Sequence, residues 1–472
     1  MTSSWNLARA FVDQAAARPT LRVGTVDDQL ALADAMDLAA GRARSLLESG
    51  LTPGRPVALV SGTSTDYLVT WLACVLAGLP VALVNPTYPD ELTERMLAPL
   101  APDRVLREPA IAEARTTGRA DPAVLPGLSA GHLLPVSFMH TSGTTGLPKF
   151  CAQTHEYFRR LGGAMRAALD LGPDDRVLAP LPLFHINPMG YGVITALLTG
   201  ADVLNVGRFS ASGFWPVVKD EGITVLVLHA PPVEILKRAT GREQAAGHRV
   251  RSMFYADAAF LQTFGVPAAV SGYGSTEAGG ISHLKRWSAD GALPIDAGRH
   301  GGPGRDDIEW QVDVDGEIRL RERVPGAMFA GYVTEGGLDR AVDEGGWFAT
   351  GDLGRVDTSG ELVFLERASE SIRVKGEFVP IPFVEERLAG LTGLRDYAIW
   401  KRPGELVDDE VVLFAVAERV PLDEVRDRIA ELPPFMRPVA IARVESLPRD
   451  AAAGKVQRRL LTADQVVEWM DV

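Results

Sequence analysis

Cysteine is nearly absent: Cys74 and Cys151 are the only two in 472 residues. A disulfide framework is thereby excluded. Neither residue stands in a Cys-x-x-Cys or Cys/His metal spacing, so the chain reads as one suited to a reducing cytoplasm. Positive charge is outweighed, 48 Lys and Arg facing 61 Asp and Glu for a formal net charge of -13. Nucleic-acid phosphates are repelled by that balance on average, which leaves room only for a local basic pocket around a small anion. Long apolar runs are scarce too. The one membrane-like run, "YLVTWLACVLAGLPVALV" over residues 67–84, is divided by Gly78 and Pro80. It reads as a buried helix, a turn and a buried strand, not as a membrane span. Residues 1–22 are interrupted by Asp13, Arg18 and Pro19 and lack the basic start and apolar core of a signal peptide, so no export is expected.

What is present is an ordinary globular composition, 46% hydrophobic and 23% charged, on a chain long enough for more than one core. Helix-like stretches alternate with short apolar runs, "PVALV", "DRVLA", "ADVLNV" and "ITVLVL". Such alternation predicts an α/β fold of parallel sheets flanked by helices. From Arg299 the texture becomes β-rich: "IEWQVDVDGEIRLRERV" alternates around a turn at Asp315 and Gly316, so residues 299–368 are expected to form a β-rich subdomain of a large domain, 1–368. The remainder, 369–472, has the size of a small mobile α+β domain with short strands and two helices. Leu422, Val425, Ile429 and Leu432 predict one of these helices over 422–432, with one face docked on a sheet.

The stretch "HTSGTTGLPKF" concentrates Thr141, Ser142, Gly143, Thr144, Thr145 and Gly146 ahead of Lys149. An apolar strand before it and helical sequence after it suggest strand, loop and helix, with backbone N–H groups and hydroxyls around a phosphate and Lys149 as a point charge. The Walker A spacing is not met, because Pro148 holds the place of its second glycine. Taken alone, this composition suits a plain surface turn equally well.

Four further stretches follow in order: "SGYGSTEAGG", "GWFATGDLG", "LERASESIRVKGEFVP" and "LPRDAAAGKVQRRLL". Together with the first loop they resemble the adenylate-forming superfamily of acyl-CoA synthetases, nonribosomal peptide adenylation domains and firefly luciferase, from about Pro53 to the C-terminus. The resemblance implies that Thr141, Ser142, Thr144, Thr145 and Lys149, with Gly143 and Gly146, hold the departing phosphates of ATP. It assigns Tyr273 to the adenine ring beside Gly274, Thr276 to the α-phosphate, Glu277 to Mg2+, Asp352 to the ribose hydroxyls and Arg367 to a further grip on the nucleotide. Lys455 matches the mobile lysine that bridges the substrate carboxylate and the α-phosphate. Gly376 matches the glycine that lets a pantetheine arm pass, and Ser369 falls at the hinge. "PLPLFHINPMGYG" resembles the segment lining the acyl pocket, which brings in His185 and Asn187, with Ala256, Asp257, Gly272 and Gly279 completing the substrate residues.

The chain departs from the family at Glu366 before Arg367, at Ser369, at "YADAAF" in place of a glycine-rich segment, and at Phe383 where the family carries a glutamate; Glu385 and Glu386 follow. Asp257 could meet an amine or hydroxyl on a substrate. The implied activity is ATP-dependent activation of a small or aromatic carboxylic acid as acyl-AMP, with transfer to the thiol of coenzyme A or of a carrier protein. The alternative keeps the nucleotide site and changes the acceptor: an amide-forming ligase, or an ATP-dependent diazotase that activates nitrite toward an aromatic amine. The active site is expected in the cleft between the two domains.

Overall fold

The computed structural model describes residues 5–141, 147–291, 293–367, 372–374, 376–404, 409–449 and 456–472. They group into two compact units, one drawn from Met1–Pro86, Leu97–His140 and Phe150–Glu366, the other from Thr87–Met96, Thr141–Lys149 and Arg367–Val472.

The first unit holds three sheets. An eight-stranded one runs His283–Ser288, Ala268–Tyr273, Ser252–Phe254, Val225–Val227, Arg176–Ala179, Asp202–Asn205, Arg22–Thr25 and Asp28–Ala31. Its six inner strands are parallel, as the alternating pattern predicts, whereas both edge strands are antiparallel. At one edge the reason is local: only two residues separate Arg22–Thr25 from Asp28–Ala31, and a parallel return needs a long crossover.

A seven-stranded sheet follows the order Gly337–Asp339, Gly331–Thr334, Lys149–Thr154, Pro135–Thr141, Val81–Val84, Val57–Val60 and Arg104–Arg107. Val57–Val60 and Val81–Val84 are buried at every position, which is why both read as unbroken apolar runs. The apolar run divides as expected: the helix Thr65–Ala77 starts on Ser64, whose hydroxyl accepts the Tyr67 N–H, and Gly78 ends it at φ +68°. Apolar on all sides, that helix is core. Among the described residues no helix is long and apolar enough to cross a membrane.

The β-rich segment is less self-contained than its sequence implies. His300–Gly302, Leu362–Arg367, Phe348–Val356, Glu317–Glu322 and Ile308–Val312 form a five-stranded sheet, but Gly331–Thr334 and Gly337–Asp339 leave it to extend the seven-stranded one. The transfer brings Tyr332 beside Cys151 in register.

In the second unit Asp396–Pro403, Asp409–Val416, Ala440–Val444 and Val466–Asp471 make a four-stranded sheet, with a hairpin of Ile372–Val374 and Glu377–Val379 and the helices Ile381–Leu388 and Leu422–Ile429. The last helix stops short of Leu432, although Leu432 stays buried. Pro433 and Pro434 follow, so the helix cannot continue. Arg437 takes up the carbonyls of Ala430 and Leu432, each at 2.6 Å.

One buried histidine gives the fold an acid-sensitive point. His155 opens the helix His155–Leu169, and its Nδ1 accepts the Leu7 N–H at 3.2 Å, at the start of the helix Leu7–Ala17. Burial, aided by His132, lowers its pKa to about 4. A folded-state value below the unfolded one means that unfolded chains take up the proton first. Stability is therefore full above about pH 6.5 and declines as pH falls toward 4, by up to about 1.4 kcal/mol per pH unit for one group. Urea unfolding followed between pH 7 and 4 is expected to show this decline, and His155→Gln to remove about one proton from its slope.

Candidate active site

The glycine loop does not sit where its sequence context suggests. Ser142, Gly143, Thr144, Thr145 and Gly146 lie outside the described residues. On either side of them stand two neighbouring strands, Pro135–Thr141 and Lys149–Thr154. The arrangement is strand, loop and strand, and the helix comes only afterwards. Phe150, Cys151, Ala152, Gln153 and Thr154 are all buried, which is the burial of an inner strand. The helix is capped by Thr154, whose hydroxyl accepts the Tyr157 N–H at 3.0 Å. Among the described residues, Lys149 is exposed at the start of its strand, and the helix begins only at His155.

The second loop is built in detail. Beyond the strand Ala268–Tyr273 the chain doubles back so tightly that a Cβ on Gly274 would lie 2.3 Å from the Gly280 carbonyl oxygen. Gly279 has φ +68°, and a Cβ there would lie 2.3 Å from the Ala327 oxygen. Only glycine fits either place. Such a turn leaves carbonyls without partners of their own, and buried ones need donors. Tyr157 donates its hydroxyl to the Thr276 oxygen at 2.9 Å and Tyr191 donates to the Gly280 oxygen at 2.7 Å. Arg305 Nη1 reaches the oxygens of Gly279 and Ile281 at 3.1 and 2.8 Å, and its fork grips Asp307 at 2.9 and 2.7 Å. Burial drives both phenol pKa values up, so they remain donors. Tyr157, Tyr191 and Arg305 escaped the sequence reading. A signal was present for Tyr191, a phenol within an apolar stretch that needs a polar partner; Tyr157, between His155-Glu156 and Arg159-Arg160, carried none.

The loop presents Glu277, whose Oε1 accepts the Tyr332 hydroxyl at 2.9 Å while its backbone oxygen accepts the Phe329 N–H at 3.1 Å. Among the described residues no cluster of three His, Cys, Asp or Glu could hold a metal. A lone anchored carboxylate suits Mg2+, which takes one or two carboxylates and draws its other ligands from substrate phosphates and water.

Tyr273 and Asp352 come into direct contact: the phenol donates to Asp352 Oδ2 at 2.8 Å, both residues buried. The Tyr273 ring stacks on Phe364, centroids 5.8 Å apart at 22°. Asp352 sits in the strand Phe348–Val356, its N–H held by the Thr350 hydroxyl at 3.1 Å. An aromatic ring and a carboxylate assigned to adenine and ribose are thus already joined. Of the remaining nucleotide residues, Arg367 ends the strand Leu362–Arg367, while Ser369 and Lys455 lie outside the described residues. Gly376, at φ +84°, makes the turn between Ile372–Val374 and Glu377–Val379.

The presumed acyl segment contains a π-helix, Asn187–Ile194. Just before it His185 packs against Phe184, centroids 4.5 Å apart, and His140 lies 6.1 Å from His185 and 6.2 Å from Phe184. Asn187 donates from Nδ2 to the Leu228 oxygen at 3.1 Å. Ala256 is buried, and a Cβ on Gly272 would strike the His283 oxygen at 2.6 Å.

Asp257 has partners within the chain. It caps the helix Ala258–Phe264, Oδ1 accepting the Phe260 N–H at 2.7 Å, and Oδ2 pairs with Lys237 at 2.9 Å. Each oxygen thus already accepts one hydrogen bond, and a substrate donor would have to share the carboxylate with them. Glu385 is likewise engaged, by Arg458 at 2.8 and 3.0 Å and the Ile399 N–H at 2.8 Å, and Glu386 by Arg95 at 2.6 and 3.2 Å.

The family model for AMP-binding enzymes matches residues 11–331. 4-Coumarate–CoA ligase 5 of Oryza sativa subsp. japonica is 27% identical over 94% of this chain and 91% of its own length. Sulfoacetate–CoA ligase of Cupriavidus necator is 31% identical over 69% of this chain and 66% of its own. An o-succinylbenzoate CoA synthetase structure from Bacillus subtilis superposes with a TM-score of 0.82 at 21% identity, covering 98% of this chain and 99% of that one. With a tightly turned glycine loop, one anchored carboxylate and a joined tyrosine and aspartate behind that match, the chain belongs to the AMP-binding enzyme family and is an adenylate-forming enzyme of the acyl-CoA synthetase type.

Proposed function

We propose that the protein activates a small or aromatic carboxylic acid with ATP and passes the acyl group to a thiol, that of coenzyme A or of a carrier-protein pantetheine. A carboxylate oxygen attacks the α-phosphorus in line, the bond to the bridging oxygen breaks, and pyrophosphate leaves. The thiolate then attacks the acyl carbonyl and AMP leaves. The observation that carries this reading is the Tyr273–Asp352 hydrogen bond at 2.8 Å, because it joins the two groups that recognise an adenosine.

Asp352 accepts the ribose hydroxyls, Tyr273 flanks the base, and Thr276 donates its hydroxyl to the α-phosphate. Glu277 holds Mg2+, which when bound would neutralise charge on the phosphates. Ser142, Thr144, Thr145 and Lys149 surround the leaving pyrophosphate, and Arg367 and Lys455 bring positive charge to the nucleotide and to the attacking carboxylate. The division into an N-terminal part of 1–368 and a small lid of 369–472 hinged at Ser369 lets Lys455 withdraw and the pantetheine arm enter past Gly376. The relatives named as CoA ligases favour coenzyme A as the acceptor. Diazotase or amide-forming chemistry would use the same nucleotide site, but Asp257, the residue that argued for it, is engaged by Lys237 and by the helix it caps.

The direct test is pyrophosphate release by the purified protein with ATP and Mg2+ over aliphatic and aromatic acids, with and without coenzyme A. Release that requires the acid, followed by a thioester once coenzyme A is present, is expected; release that requires nitrite instead would refute the acceptor assignment. Lys455→Ala is expected to slow adenylation by about 100-fold or more while ATP binding, read by calorimetry, changes little. Arg305→Ala removes the donor to two loop carbonyls and should raise the KM for ATP and lower kcat, together about 10- to 100-fold, with the protein still folded by circular dichroism.

A further inference from the structure

Arg305 holds two carbonyls of the loop over residues 274–281, yet an arginine side chain is long and has many rotamers, and its planar fork is fixed in direction only when a carboxylate meets it. Asp307 supplies that carboxylate. Its Oδ1 accepts the Arg305 Nε–H at 2.9 Å and its Oδ2 the Nη2–H at 2.7 Å. Nη1 is thereby aimed at the oxygens of Gly279 and Ile281, 3.1 and 2.8 Å away. A fork gripped along one edge leaves its third nitrogen no freedom of direction.

Asp307 is held in turn from behind. Its backbone oxygen accepts the Arg323 N–H at 3.0 Å, and its Oδ2 also accepts Arg160 Nη1 at 3.2 Å. Arg160 lies in the helix His155–Leu169, where its Nη2 meets Glu156 Oε1 at 2.8 Å. The side chains of Glu156, Asp307 and Arg305 are only 8, 16 and 8% exposed, so removing one partner of these pairs leaves a poorly solvated charge behind. Burial alone would raise the Asp307 pKa, but Arg305 and then Arg160 outweigh it and hold the carboxyl below its ordinary value.

The spacing in the helix gives the arrangement its sense. Tyr157 and Arg160, three residues apart, lie on one face. Tyr157 reaches the loop directly, at the Thr276 oxygen, 2.9 Å away; Arg160 reaches it through Asp307 and Arg305, at Gly279 and Ile281. One helix thus holds the loop at both ends, and Glu277 stands between the two points. Neither Arg160 nor Asp307 lies in any of the five stretches that carry the family resemblance.

We propose that Asp307 is a positioning residue of the adenylation step: held by Arg160, it locks the Arg305 fork and with it the course of the loop that presents Thr276 and Glu277 to the nucleotide. The proposal rests on the acyl-activation reading above and adds to it a pair of residues that acts through Arg305. The adenosine itself is met by Tyr273 and Asp352, which lie on strands. Loosening the loop therefore costs aim at the phosphates, a loss in the transition state, and leaves nucleotide affinity nearly intact.

The experiment measures kcat for pyrophosphate release by the full chain with Mg2+, ATP, coenzyme A and the best acid of the panel above, and AMP affinity by calorimetry, both per folded protein by circular dichroism. Asp307→Asn keeps the shape and removes the charge. It is expected to lower kcat by about 10- to 100-fold while the Kd for AMP stays within about threefold. Arg160→Ala, which leaves the Asp307–Arg305 pair in place, should lower kcat by about 3- to 10-fold, and combined with Asp307→Asn it should add nothing further, because the two act in series. Should Asp307→Asn fail to fold, Arg160→Ala and Arg160→Lys carry the same test, the lysine expected to restore part of the rate. A kcat within about twofold of native in the folded variants, or a fall matched by an equal weakening of AMP binding, overturns the proposal; additive losses overturn the part given to Arg160. Silence of the native protein with every acid overturns the acyl-activation reading instead, and is distinguishable because no native rate then exists for comparison.

Discussion

A buried carbonyl must have a donor, and the loop over residues 274–281 depends on that constraint. Folding it tightly enough for Gly274 and Gly280 to touch uses up the room for side chains and leaves its own oxygens facing inward. Their donors come from three separate places: Tyr157 in the helix after the first loop, Tyr191 in the π-helix, and Arg305 between the strands His300–Gly302 and Ile308–Val312 of the five-stranded sheet. All three places border one continuous hydrophobic core, which holds Tyr157, Tyr191 and Ile308 alike, so the loop inherits rigidity from it. A site that must aim a hydroxyl and a carboxylate at phosphates needs that rigidity, because pre-organised groups are not reordered during reaction.

The same economy explains why Asp352 is buried. Desolvating a carboxylate is costly unless hydrogen bonds compensate, and here Tyr273 donates to one of its oxygens. Tyr273 in turn needs a partner for its phenol inside a core. Each residue answers the other's requirement, and the pair links the end of an inner sheet strand to a strand of the β-rich region. The pair proposed to meet the adenosine is therefore also a joint between two sheets.

Much of this was legible in the sequence, and the parts that were not share a physical cause. The unbroken runs of Val57–Val60 and Val81–Val84 and the break at Gly78 declared buried strands and a buried helix because composition and burial there are one property. The strand Lys149–Thr154 was hidden because the polar Gln153 and Thr154 disguise it; Gln153 is buried through its hydrogen bond to the Met139 N–H at 3.0 Å. The departure of Gly331–Thr334 into another sheet was invisible, since alternation specifies a strand but not its partner. At the site, the resemblance supplied Tyr273, Glu277 and Asp352, which lie in local motifs. Tyr157, Tyr191 and Arg305 act across more than twenty residues of sequence, and even Tyr191, which lies in a quoted motif, has no role there that the motif announces, so only the fold could assemble them.

Asp257 and Asn187 separate two kinds of polar residue that look alike in a sequence. Asn187 was a candidate through the resemblance of its segment to the family's, Asp257 as a departure from that family. Asp257 has each oxygen accepting a bond, from a helix N-terminus and from Lys237, so its position is fixed by the fold. Asn187 has one end fixed and the other unspent. The same pattern recurs at Asn205, whose Nδ2 donates to the Ala179 carbonyl at 2.8 Å while its oxygen has no partner among the described residues, so the unpaired oxygen is a cost the fold carries at more than one place. The loop over residues 274–281 differs in that donors are brought to its carbonyls at Thr276, Gly279, Gly280 and Ile281 from elsewhere in the fold.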